Sequence, residues 1–222
     1  NLKVKNYILL LASLFFYGWG EPKWIITMVL NTVIAYVAAF FIAGNKGKND
    51  KKAKLALAIC CAFSLGDLFV FKYLDFTIFN LNSLFGSSLP LTNLALPIGI
   101  SFYTFQTLTY VIDVYRGKAE VQQNFAWLLL YVSMFPQLIA GPIVKYTDVM
   151  EQIGNRQFDW LEAGKGVLRF LVGLTKKIVF ANIAGELASH YLDGDLLKLS
   201  TLGAWVGLLA YSFQIYFDFS AY

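Results

Sequence analysis

Three groups of polar residues in this 222-residue sequence stand in apolar surroundings where polarity is expensive. Asp218 lies within the apolar stretch 211–222, with Gln214 four residues before it and Tyr222 four after, so a helix would place all three on one face. An ionisable side chain at membrane depth is a functional candidate by default, and this stripe suits the lining of a substrate tunnel. It equally suits a buried hydrogen-bond cluster that locks two helices together, and the spacing admits both readings. The second group is Tyr103, Gln106, Tyr110 and Asp113, at intervals of three or four after Pro97 and Gly99. Rings interleaved with amide and hydroxyl groups suit a polar acyl acceptor, although tyrosines near a helix end also anchor at the membrane interface. The third is the stretch 135–142, where Gln137 sits beside Pro136 and the pair Gly141 and Pro142. Broken backbone there either offers free carbonyls to a cavity or merely kinks a helix.

Other chemistry finds little purchase. His190 is the only histidine, and beside Tyr191, Asp193 and Gly194 it reads as a loop residue in preference to a catalytic base. One histidine and two cysteines give no metal-ligand spacing, and the adjacent Cys60 and Cys61 cannot bond each other in helical geometry. Asp67 and Lys72 are five apart, a poor spacing for a pair, and Lys72 can snorkel to an interface. No nucleophile elbow, phosphate loop or paired carboxylate is present. The residues alone make no complete active site.

The elements that position these groups are hydrophobic helices. The chain is 58% apolar and 14% charged, against about a quarter charged in a soluble domain, so lipid must be part of its solvent. The net charge of +4 sits in short runs between apolar stretches, which excludes a nucleic-acid face. About seven candidate membrane segments are expected. A short run at 7–19 ends at Gly18, Gly20 and Pro22. The run 24–43 precedes Lys46, Lys48, Lys51, Lys52 and Lys54, which places that loop in the cytoplasm. The run 55–74 leads to a nearly uncharged outer loop at 75–92, and 94–115 returns to Arg116 and Lys118. A bent or re-entrant element is expected over 125–144, an interfacial segment over 145–169, and a run over 166–184 crossed by Lys176 and Lys177 at the cytoplasmic interface. A short helix then rises to His190, Asp193 and Asp195 outside, and 202–222 is the last run. The expected fold is all-α and polytopic. The expected organisation is one transmembrane domain over 1–222, incomplete at both ends, in the cell membrane.

Four stretches, 12–22, 96–117, 135–146 and 214–222, resemble one family in one order. The chain is similar to the membrane-bound O-acyltransferases, and the run from Pro97 to Gln106 favours their alginate O-acetyltransferase branch over the D-alanyl teichoic-acid branch. Ala221 departs from the pattern, standing where the family usually has glycine. The resemblance implies a helical ring pierced by a tunnel, through which an acyl group, acetyl in the first instance, passes from a cytoplasmic-side donor to hydroxyls of an extracytoplasmic polysaccharide. It implies no bound cofactor, and a separate extracytoplasmic acetyltransferase partner beside the lipid bilayer and the polysaccharide. The family's catalytic histidine is expected beyond Tyr222, where it would serve as general base. Gln106, Asp113, Gln137, Gly141, Pro142, Gln214, Asp218 and Tyr222 are then tunnel-wall or supporting groups. The alternatives are a secondary transporter, which also uses broken helices and buried polar residues, and a non-catalytic membrane partner, should the chain truly end at 222.

Overall fold

In the computed structural model, which describes residues 1–138, 141–194 and 199–222, the chain is helical and no strand forms among the described residues. Asp195, expected outside the membrane, lies beyond the described residues, as do positions 139 and 140 of the broken segment. Among the described residues ten α-helices follow one another: α1 (Leu2–Gly20), α2 (Ile25–Asn45), α3 (Asp50–Phe85), α4 (Ile100–Arg116), α5 (Phe125–Ser133), α6 (Phe135–Leu138), α7 (Tyr146–Asn155), α8 (Trp160–Thr175), α9 (Asn182–Leu192) and α10 (Thr201–Ala221). A π-helical stretch, Lys176–Ala181, joins α8 to α9.

Polar side chains start many of these helices by satisfying free backbone N–H groups. Asn1, Asn49, Asn124, Asp159 and Ser200 each accept from an N–H of the first turn of α1, α3, α5, α8 and α10. Glycines in the left-handed region end α3 at Gly86 and bracket α4 at Gly99 and Gly117. Among the described residues two helices, α2 and α3, are long and apolar enough to cross a bilayer.

Several boundaries differ from the sequence reading. The first helix starts at Leu2 and runs for 19 residues, because Asn1 caps it and Lys3 and Lys5 are good helix formers. The expected outer loop at 75–92 is helical as far as Phe85, since no breaker precedes Gly86. Inside that extension Thr77 and Asn80 donate back to the carbonyls of Tyr73 and Phe76 at 2.8 and 2.7 Å. The 36 residues of α3 therefore reach about 54 Å at ~1.5 Å per residue, beyond the ~30 Å hydrocarbon core. Conversely 94–99 is not helical; Pro97 and the positive φ of Gly99 delay α4 to Ile100. Lys176 and Lys177 do not end the helical run; they open its π stretch, Lys176–Ala181. His190 sits on α9, not in a loop.

The chain forms two compact units, residues 1–156 and 157–222. In the first, α2 is central, packing on α3, α4 and α5. Its Ala35, Ala38 and Ala39 are buried along one face, small enough for close helix approach. Met28 and Ile42 join them, with Tyr103, Tyr110 and Val111 of α4 and Cys60 of α3 in the same core. Asn6 of α1 donates 2.7 Å to the carbonyl of Ile153 on α7, and Tyr17 donates 3.0 Å to that of Ile98 before α4. In the second unit α9 lies along α10. Gly203, Gly207 and Ala210 of α10 are buried, and Tyr191 and Leu192 fill the room the glycines leave. Both units keep large apolar side chains exposed, such as Leu11, Phe15 and Trp19 on α1 and Val167, Leu168 and Phe170 on α8. Water would penalise that surface at ~25 cal/mol per Å².

Candidate functional site

The face of α4 that carries the second polar group is buried. Tyr103 and Tyr110 have no exposed surface and Gln106 is 1% exposed, so the two tyrosines are core residues, not interface anchors. Tyr103 and Thr27 of α2 share a hydroxyl hydrogen bond of 3.1 Å. The Tyr110 hydroxyl accepts from the backbone N–H of Gln122 at 3.0 Å. Gln106 has a buried Oε1 without a hydrogen-bond partner among the described residues, and Asp113 is half-buried.

Gln122 carries this face on to the broken segment. Its amide donates 2.9 Å to the Tyr146 hydroxyl, and Tyr146 packs edge-on against Tyr110 and Tyr131 at centroid distances of 4.6 and 5.4 Å. Burial pushes the Tyr146 phenol above the usual tyrosine range, with the neighbouring Tyr110 adding to it. The break itself follows from Pro136, which has no N–H to continue the ladder of α5. Gln137 takes up a carbonyl left at that end, donating 2.6 Å to Tyr131, and the Tyr131 hydroxyl donates 2.6 Å to the carbonyl of Val144. Gln137 is thus occupied in closing the break, Gly141 is buried at a φ of 111°, and Pro142 is exposed. Gly99, at a φ of 74°, lies against the same segment, since a Cβ there would fall 2.5 Å from the carbonyl oxygen of Leu138. The second and third polar groups are therefore parts of one packed region of the first unit.

One polar cluster in that unit escaped the sequence reading. Asn31, wholly buried on α2, accepts through Oδ1 from Ser64 of α3 at 2.9 Å and from Thr107 of α4 at 3.2 Å. Asp67, half-buried on α3, keeps a buried Oδ2 without a partner among the described residues. The available signal was Asn31 itself, an amide inside the uncharged run 24–43.

The first polar group belongs to the second unit. Asp218 of α10 is salt-bridged to Lys177 of the π stretch through Oδ1, with side-chain exposures of 26% and 50%. Next to it Lys176 donates 3.1 Å to the carbonyl of Ser220. A Cβ on Gly173 would fall 2.3 Å from the carbonyl oxygen of Ala221, so at that crossing the close approach is supplied by glycine from the facing helix. Gln214, one turn before Asp218, packs on Gly185 of α9, where a Cβ would fall 2.9 Å from its Nε2, while Tyr222 is exposed. The widened π turn places two consecutive lysines against the end of α10, a geometry often found at functional positions. Lys177 is 41 residues from Asp218, and no local spacing rule could have paired them. No cluster of metal-ligating side chains occurs among the described residues.

A family model described as MBOAT, membrane-bound O-acyltransferase family, matches residues 11–222. The chain is 36% identical, over 99% of its length, to the probable alginate O-acetylase AlgI of Pseudomonas aeruginosa, of which it covers 42%. It is 35% identical to the peptidoglycan O-acetyltransferase of Helicobacter pylori over 96% of its length, covering 45% of that protein. A weaker match, 24% identical over 60% of the chain, is to the teichoic acid D-alanyltransferase of Bacillus subtilis. The chain thus spans less than half the length of the relatives it matches.

Proposed function

Because the chain belongs to the membrane-bound O-acyltransferase family, we propose that the full-length protein is a polytopic enzyme of the cell membrane that O-acylates an extracytoplasmic polysaccharide. The observation that carries this reading is the match along nearly the whole chain to two proteins named for different polymers, a probable alginate O-acetylase and a peptidoglycan O-acetyltransferase. The group transferred is acetyl, drawn from a donor on the cytoplasmic side without a resident cofactor, and a separate extracytoplasmic acetyltransferase completes delivery to the polymer. None of the relatives above is named as a transporter, and the residues have no complete active site of their own.

In this reading a histidine outside residues 1–222 takes the proton from an acceptor hydroxyl, its pKa lying near neutrality. The chain in hand supplies wall and scaffold. Asp218, held by Lys177, fixes the end of α10 at the cytoplasmic interface, with Gln214 on the same helix and Tyr222 just past its end. Gln106 and Asp113 on α4, and Gln137, Gly141 and Pro142 at the break, shape the tunnel in the first unit. The large exposed apolar side chains of both units face lipid.

The test is to purify the full-length protein in detergent with its extracytoplasmic acetyltransferase partner and incubate both with labelled acetyl-coenzyme A and de-O-acetylated polysaccharide. Base-labile label on the polymer supports the proposal. Label that never leaves the donor, with protein that is folded, contradicts it.

A further inference from the structure

Between α2 and α3 runs a groove of about 600 Å³ on the surface of the first unit. Val37 and Phe41 wall it on α2, Leu55 and Ile59 on α3, and all four are exposed. Its floor is made of small side chains, Ala38, Ala56 and Cys60, of which Ala38 and Cys60 are buried. Small residues between large ones leave a trough that a hydrocarbon chain can fill by dispersion contact. From Phe41 back to Val33 the groove follows α2 for about 12 Å at ~1.5 Å per residue, within the half of the ~30 Å hydrocarbon core that belongs to one leaflet.

One end of the trough is charged. Lys52 is the only charged residue of its lining among the described residues, and Lys48, Lys51 and Lys54, close to it in the chain, are exposed. Lys46 is turned toward α4, its Nζ 6.0 Å from the centre of the Tyr115 ring. Asp50, the one acid between Lys46 and Lys54, accepts from the backbone N–H of Gly47 at 2.9 Å. No salt bridge among the described residues engages any of these lysines. A second apolar cleft, of about 780 Å³ at the end of α1, differs in this respect: Phe15, Phe16, Trp19 and Phe135 line it, with Glu21 as its only charged residue. Apolar surface alone suits any lipid tail, but of the two only the α2–α3 groove ends on a cation. With the lysine loop on the cytoplasmic side, that end meets the headgroup layer of the inner leaflet, where anionic lipids attract basic side chains.

We propose that the α2–α3 groove is a binding site for a phospholipid with an anionic headgroup, one acyl chain lying on Ala38, Ala56 and Cys60 and the phosphate meeting Lys52 at the rim. Lipid at this groove requires membrane residence with the lysine loop inside, and does not require acyl transfer.

The experiment titrates the full-length protein, purified in detergent and stripped of lipid, with phosphatidylglycerol or phosphatidylcholine and counts bound lipid by native mass spectrometry. The wild-type protein binds one phosphatidylglycerol about tenfold more tightly than phosphatidylcholine. Lys52→Glu removes that preference, whereas Lys23→Glu, a charge reversal at an exposed lysine before the opposite end of α2, keeps it. Val37→Trp, which fills the trough from an exposed position, weakens phosphatidylglycerol binding about tenfold, with an unchanged thermal midpoint of the lipid-free protein as the control for folding. In proteoliposomes, phosphatidylglycerol carrying a diazirine in its acyl chain labels residues 33–41 and 55–60 of the wild-type protein on irradiation. Equal affinity for the two lipids, or a preference that survives Lys52→Glu, overturns the site. So does the absence of label from both segments, which would mean that another part of the protein covers the groove. Each of these outcomes leaves the acyltransferase reading in place.

Discussion

Asp218 is the one carboxylate among the described residues whose salt bridge joins two separate helical stretches. The pair is partly exposed, so its worth lies in position more than in stability, exposed pairs contributing ~0–1 kcal/mol. Asp218→Ala in the full-length protein is expected to lower acetyl transfer by about tenfold, ~1.4 kcal/mol of barrier, while membrane insertion stays normal. Lys177→Asp combined with Asp218→Lys should recover part of that loss. Normal transfer by a well-folded Asp218→Ala protein would sink the role given to the stripe. Tyr146 is a purely structural counterpart. Tyr146→Phe removes the acceptor for the Gln122 amide and should lower stability by about 1 kcal/mol, read as a reduced thermal midpoint. The raised Tyr146 phenol contributes its stability fully below ~10, the ordinary tyrosine value, and loses it as pH rises from there through the folded value. The deficit of Tyr146→Phe should therefore be constant near neutrality and shrink at high pH. Residue types alone revealed Asp218 and Gln137 as unusual, but not what they touch. The partner of the first is distant in sequence, and that of the second is a backbone carbonyl.

At the scale of elements, breaks and close crossings place the polar groups. Pro136 ends α5 where the sequence reading put a bend, because a missing N–H is a local fact that any environment must respect. The end of α3 and the start of α4 were misread, since apolar runs locate helices better than they locate helix ends. The π stretch was illegible too, for nothing in Lys176-Lys177 distinguishes a widened turn from a helix crossing an interface. Gly99 is the most constrained crossing in the first unit. Gly99→Ala meets both a positive φ and the Leu138 carbonyl, and should cost ~1–3 kcal/mol for the backbone conformation alone. In the second unit Gly207→Leu would drive a side chain into Leu192 and Tyr191. The expected result is loss of folded yield by size-exclusion chromatography in detergent, with Gly207→Ala milder. A Gly207→Leu protein of wild-type yield and midpoint would show that α9 and α10 do not depend on that contact.

At the scale of the molecule, the composition already demanded lipid, and the charge pattern predicts which loops face which side. Membrane residence was legible because it is a sum over many residues; the buried Asn31 junction was not, because it joins three helices through one amide. With Cys60 and Cys61 replaced by alanine, a cysteine at Lys48→Cys should react with an impermeant maleimide only from the cytoplasmic side. Ser88→Cys should react only from outside. Labelling of both from one side would contradict the proposed topology. The decisive measurement is the sidedness of the reaction. The full-length protein is reconstituted in one orientation, with labelled acetyl-coenzyme A on the cytoplasmic face and both the partner acetyltransferase and polysaccharide on the other. Base-labile acetyl ester is expected on the polysaccharide, dependent on donor at the cytoplasmic face. Ester formation that needs donor and polymer on the same side, or the absence of any ester despite intact folded protein, would contradict it.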